Sequence, residues 1–225
     1  MEILKSKIEY KVLLEKQLNE VDLSPSDRLL CFVSTAASIN NMDAVAAAIE
    51  LGIEKSISSQ IELYESLLQT YLFAGFPAAI EGLSVLYNYL QSKSNYSITL
   101  EYDLHEFLRR GELLCQSVYT TVYDQMRTNM RKISPDLDQW MIIEGYGKTL
   151  SRPGLKAKTR ELISVSSLAA LGWEKQLYSH IRGALNLGAT VNECRSLLDG
   201  IAILCSKSRY TFATNVFDKV LEGVK

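Results

Sequence analysis

The chain has 225 residues, 47% hydrophobic and 22% charged, with 24 basic against 26 acidic side chains and a net charge of −2. That length holds one sizeable core or two small ones. The near-neutral balance excludes the broad basic footprint that nucleic-acid binding requires, and no apolar run approaches the roughly 18 residues of a membrane span.

The opening "MEILKSKIEYKV" is charged throughout and has no apolar signal core, so the cytoplasm is the expected location. Helical signals then dominate. The apolar periodicity predicts helices at about 3–20, 25–39, 42–52, 58–74, 77–92, 101–132, 135–148, 156–171, 173–187, 191–205 and 208–222, and the fold class is all-α. "LSPSDRLL" supplies an N-cap at Ser24, a first-turn proline at Pro25 and an acid at Asp27; "ISPDLDQW" repeats the device with Ser134, Pro135 and Asp136. Gly52 and Gly188 follow periodic stretches and read as C-terminal caps, and Thr190 with Glu193 reads as a capping box.

"QSKSNYSITL", residues 91–100, is the most linker-like stretch. It divides the chain into a degenerate N-terminal repeat with a leading helix (1–92), a linker with a long central helix (93–132) and a C-terminal repeat (133–225). The halves are read as copies because "AVAAAIELG" and "HIRGALNLG" both end on Leu-Gly. "DRLLCFVSTAAS" and "TRELISVSSLAA" are both charge-led helices that turn small and apolar. Aligned on the Leu-Gly pairs, Ala44 stands where the second half has His180.

The chain has two histidines. His105 has no partner pattern and reads as structural or solvent-facing. His180 lies among Leu177, Ile181, Ala184 and Leu185, so it reads either as a packed core histidine or as an acid–base group. Trp173, Gln176 and His180 share one helix face. Glu161 reads either as a helix-entry carboxylate bonded to Arg160 or backbone, or as the partner that orients an imidazole. Glu144 reads as surface, and Trp140 and Trp173 as packing residues. The four cysteines, Cys31, Cys115, Cys194 and Cys205, form no C-x-x-C pair, and their spacing suits buried thiols.

"TRELISVSSLAALGWEKQLYSHIRGALNLGATVNE" and, more weakly, "YLFAGFPAAIEGL" resemble the carboxymuconolactone decarboxylase and alkylhydroperoxidase-D-like superfamily over roughly 25–92 and 133–222. The resemblance implies a duplicated helical bundle that assembles as a homo-oligomer, here a dimer or trimer. Peroxidase members carry Glu-x11-Cys-x2-Cys-x3-His, which reads Glu161, Trp173, Gln176, His180 in this chain. The acid and the histidine remain while both thiols are gone, which argues against thiol peroxidase chemistry.

What the resemblance leaves is cofactor-free lyase or isomerase chemistry on a small carboxylated lactone or related metabolite. His180 and Glu161 are then the catalytic candidates, and Trp173, Gln176, Arg182 and Tyr146 the substrate-binding ones. Arg152 is a second candidate clamp for a substrate carboxylate. No metal site is expected from one histidine and one acid. The alternative is a non-catalytic oligomer or small-ligand binder that kept the fold.

Overall fold

The computed structural model describes residues 5–91 and 98–223, and every regular element among them is helical. Helix α1 spans Lys7–Gln17, α2 Pro25–Ser38, α3 Met42–Glu54, α4 Gln60–Gln69 and α5 Tyr71–Leu90. After the linker, most of which lies outside the described residues, come α6 (Leu104–Tyr119), α7 (Tyr123–Ile133) and α8 (Pro135–Trp140). A π-helical segment, Met141–Leu150, continues α8 and is followed by α9 (Ala157–Leu171), α10 (Glu174–Asn186), α11 (Val191–Ile201) and α12 (Lys207–Gly223).

The caps read from sequence are the ones observed. Ser24, Ser134 and Thr190 each accept from a backbone N–H in the first turn, and Thr190 and Glu193 close a full capping box. Gly188, at φ +90°, ends the turn after α10 in the left-handed region.

Four expectations are corrected. Gly52 does not cap: α3 runs on to Glu54, and Ser56, at φ +53°, takes the left-handed position. The predicted helix 101–132 is two helices, because Thr120 has φ +47° and a short 3₁₀ turn separates α6 from α7. The helix expected over 58–74 is divided at Thr70 between α4 and α5, while the gap expected at 75–76 is found at Gly75, whose φ of +81° and ψ of 169° interrupt α5. The segment expected to end at 148 widens into π geometry: the Ser151 N–H donates to the Tyr146 carbonyl at 2.9 Å, five residues back.

Two glycines explain the close packing of that π segment. A Cβ on Gly111 of α6 would collide with the Ile142 carbonyl, and one on Gly147 with the Phe107 carbonyl, so the two backbones touch directly. Helix α7 is held by charge: Arg127 forms a bidentate pair with Asp138 at 2.6 and 2.8 Å.

The centre of the molecule is the crossing of α2 and α9. Both helices are buried on every side, from Arg28 to Ser38 and from Thr159 to Ala170. Their small residues allow close approach, and the Ser34 and Ser167 hydroxyls meet at 3.1 Å across the crossing.

Each central helix also carries one buried arginine that reaches into the opposite half. Arg28 donates to the Ser196 carbonyl and hydroxyl on α11. Arg160 donates to Glu65 and Gln69 on α4. Asn41 and Trp173 precede α3 and α10 by one residue, and Ser56 and Gly188 are the left-handed residues after them. One and the same shift in sequence relates these three pairs. On that register the counterpart of His180 is Ala48, one helical turn beyond Ala44, and the counterpart of Glu161 is Leu29. The two alignments differ because Leu51-Gly52 lies inside α3 whereas Leu187-Gly188 closes α10.

Candidate functional site

Glu161 lies in the second turn of α9, and His180 in the middle of α10. These helices pack together as neighbours in the C-terminal half. The two side chains meet: His180 Nδ1 lies 2.8 Å from Glu161 Oε2, with Glu161 2% and His180 8% exposed. An ionised carboxylate only accepts, so it places the proton on Nδ1 and leaves Nε2 to act. Glu161 therefore bonds to the imidazole and not to Arg160, whose guanidinium is engaged by Glu65.

Nε2 has no hydrogen-bond partner among the described residues, yet it is absent from the sealed, unpartnered polar atoms of the interior, which include Thr35 Oγ1 and Arg160 Nε. Room for the carboxylate comes from Gly183, one turn beyond His180. A Cβ there would stand 2.7 Å from Glu161 Oε2 and 2.6 Å from Val118 Cγ1.

Aromatic rings surround the pair. Phe73, at the start of α5, meets the imidazole edge-to-face at 5.3 Å and 85°. Tyr119 closes α6, and Tyr146 projects from the π segment; their rings lie 6.3 Å apart in a small core with Cys115, Val118 and Ile142. Burial drives the Tyr146 hydroxyl well above the ordinary phenol range, reinforced by the charges of Tyr119 and Glu161. Burial likewise pushes Tyr119 up to about 12. Both phenols therefore keep their protons and serve as hydrogen-bond donors.

Of the four substrate-binding candidates, Tyr146 alone comes to the buried side of the pair. Trp173, 58% exposed, and Gln176, also exposed, lie on the outer end of the His180 face. Trp173 and Trp140 are thus surface rings, not packing residues. Arg182 lies two residues from His180 and so points about 200° away around α10. Arg152 is unavailable as a clamp because it makes a bidentate pair with the fully buried Glu65 and donates to the Ile98 carbonyl. Sequence reading missed Phe73, Tyr119 and Gly183. Only Gly183 left a signal, as a glycine inside a helical pattern.

Three of the four thiols are held unreactive by burial. Burial raises Cys31 and Cys115, and lifts Cys194 to about 12. Among the described residues no group of three or more His, Cys, Asp and Glu side chains is placed to hold a metal ion, and no helix is long and apolar enough to cross a membrane. Two hollows on the described surface lie elsewhere, one beside Gln17 and Arg28 and the other around residues 56–62.

The carboxymuconolactone decarboxylase family model matches residues 135–219, the stretch that contains both Glu161 and His180. The chain is similar to the 4-carboxymuconolactone decarboxylase of Acinetobacter baylyi, 34% identical over 31% of this chain and 52% of that protein. It thus spans about half the length of that relative. A longer match, 24% identical over 82% of this chain and 88% of the other, is to peroxisomal protein 2 of Schizosaccharomyces pombe. The protein of that name from Saccharomyces cerevisiae is 30% identical over 40% of this chain and 32% of its own length. Residues 135–219 and the helices they build are thus similar to the carboxymuconolactone decarboxylase family.

Proposed function

We propose that the protein catalyses cofactor-free acid–base chemistry on a small carboxylated lactone or a related metabolite, with His180 as the proton-transfer group and Glu161 as the residue that orients it. The observation that carries this reading is the buried 2.8 Å bond between Nδ1 and Oε2, which leaves Nε2 as the working atom. In a decarboxylase, breaking the bond to the departing CO2 leaves its electron pair on carbon, delocalised to the lactone carbonyl. A protonated His180 donates its Nε2 proton to carbon, and Glu161 stabilises the imidazolium beforehand. Tyr146 supplies a neutral O–H donor for the carbonyl oxygen. Neither Arg152 nor Arg182 is placed to hold the substrate carboxylate, so the substrate sits against aromatic walls. Leaving water raises the energy of a carboxylate more than that of the delocalised charge that follows.

The test is CO2 release from 4-carboxymuconolactone and related carboxylated lactones by the wild type, His180→Gln and Glu161→Gln. Loss of turnover in the first variant and a drop of about 10²-fold or more in the second support the reading. The near-complete burial of the pair favours one rival, a ligand binder that kept the fold. It predicts that both substitutions change ligand affinity or melting temperature, with turnover absent throughout.

The two halves are proposed to be copies of one helical unit, supported by the common shift that relates Arg28, Asn41 and Ser56 to Arg160, Trp173 and Gly188. A homo-oligomer, dimer or trimer, is proposed from the exposed Phe76, Ile80 and Trp140, and light scattering reads its mass directly. A cytoplasmic location is proposed as well; the peroxisomal names of two relatives make imaging of a tagged chain the deciding observation.

A further inference from the structure

We propose that Phe73 controls access to His180 and that Gly75 is the point at which the chain carrying it gives way. This rests on the reading of His180 Nε2 as the working atom. The pair is nearly shut off from solvent, and Phe73 is the half-buried ring that stands edge-to-face against it. A substrate that reaches Nε2 must share or take that space.

The segment that carries Phe73 is joined to α4 on one side and interrupted on the other. Tyr71–Ala74 is a single helical turn, cut from the rest of α5 by Gly75 at φ +81° and ψ 169°, a backbone region that only glycine occupies without strain. Crowding does not explain the glycine, because a Cβ there would meet nothing closer than Pro77 Cδ at 3.6 Å. The reason lies in the backbone. Pro77 stiffens the start of the long helical part beyond the hinge. On the near side, Tyr71 links the turn by a 2.6 Å hydroxyl bond to Thr149, at the end of the π segment that bears Tyr146. Tyr71 also stacks on Phe76 at 5.2 Å and 23°, and Phe76 is 70% exposed. The turn is therefore anchored at its entry, where the Phe73 and Ala74 N–H groups donate to the Thr70 carbonyl at 3.2 and 3.0 Å, and has one irregular residue at its exit.

The experiment measures the rate of His180 carbethoxylation by diethyl pyrocarbonate, followed by peptide mass mapping, with His105 as the internal control in the same molecule. Phe73→Ala is expected to raise the His180 rate about tenfold and leave His105 unchanged, the scale of a local opening shifted by one lost contact. Gly75→Ala strains only the closed backbone, so it is expected to raise the rate as well. Phe73→Leu, which preserves the core, reads the same effect at smaller size should the alanine variant not fold. An unchanged His180 rate in folded Phe73→Leu and Gly75→Ala proteins overturns the proposal. Because the readout is chemical modification, it stands whether or not any lactone is turned over.

Discussion

Gly183→Ala tests the geometry of the pair most directly. The added methyl would lie 2.7 Å from Glu161 Oε2 and 2.6 Å from Val118 Cγ1, both too close for any stable contact. The carboxylate cannot simply swing aside, because Glu161 is buried and bonded to His180. Overpacking of this kind costs about 1–3 kcal/mol, and loosening a hydrogen bond to a charged group costs about 1.5–3 kcal/mol. Helix propensity returns about 1 kcal/mol, since alanine replaces glycine inside α10. The net expectation is a loss of about 3 kcal/mol, which for a chain of this size lowers the melting temperature by about 6–12 °C. Calorimetry reads the stability, and ¹⁵N NMR of the imidazole reads the Nδ1 bond. Gly145→Ala is the control: a Cβ there meets nothing within 4 Å, so its stability should hold or rise by up to about 1 kcal/mol. A Gly183→Ala protein as stable as wild type, with an undisturbed Nδ1 resonance, would refute the placement of Glu161 against α10.

Glu65 is 0% exposed and neutralises both Arg152 and Arg160, so Glu65→Ala strands two buried guanidinium groups and should cost about 3–5 kcal/mol in urea unfolding. Asp138 is held below its ordinary value by Arg127, with Arg131 adding to it, against the opposing effect of burial. Its contribution to stability is therefore full above the unfolded value near 3.8 and fades as pH falls through the lower folded value. Asp138→Asn should lose about 2 kcal/mol at neutral pH, and its gap from wild type should narrow in acid below pH 3.8; a gap constant with pH would contradict the pairing. Iodoacetamide at pH 8 should label Cys205 and spare the buried Cys31, Cys115 and Cys194, as intact mass will show. Rapid uptake of further labels in the folded protein is the outcome inconsistent with that burial.

The all-helical class and most helix starts were legible because they depend on neighbours in sequence: Ser24 before Pro25, Ser134 before Pro135, Thr190 three residues before Glu193. The His180–Glu161 pair was legible as a spacing, but its contact was not. Whether an acid on one helix meets an imidazole on the next depends on interhelical register, which Gly183 and Val118 set. The fate of the arginines was hidden for the same reason. Arg152 looked free because its partner, Glu65, comes from a distant helix. The π segment was read as ordinary helix, since its widened turn answers to Gly111 on a different helix and not to its own periodicity. Phe73 gave no sign at all, as its role exists only where the kink at Gly75 delivers its ring.

The crossing arginines bear on how the chain could have arisen and how it must fold. Arg28 and Arg160 each donate across to the other half, while keeping partners nearer in sequence: Glu20 for Arg28, and the Arg152 and Pro153 carbonyls for Arg160. A fragment cut in the 91–98 connection would lose the cross-half part of each set, and its C-terminal piece would hold Arg160 without the Glu65 carboxylate. Interdependence of that sort ties the two halves into one cooperative transition. If the two halves are copies, as proposed, the same sharing lets one of them carry an acid and an imidazole where the other has leucine and alanine.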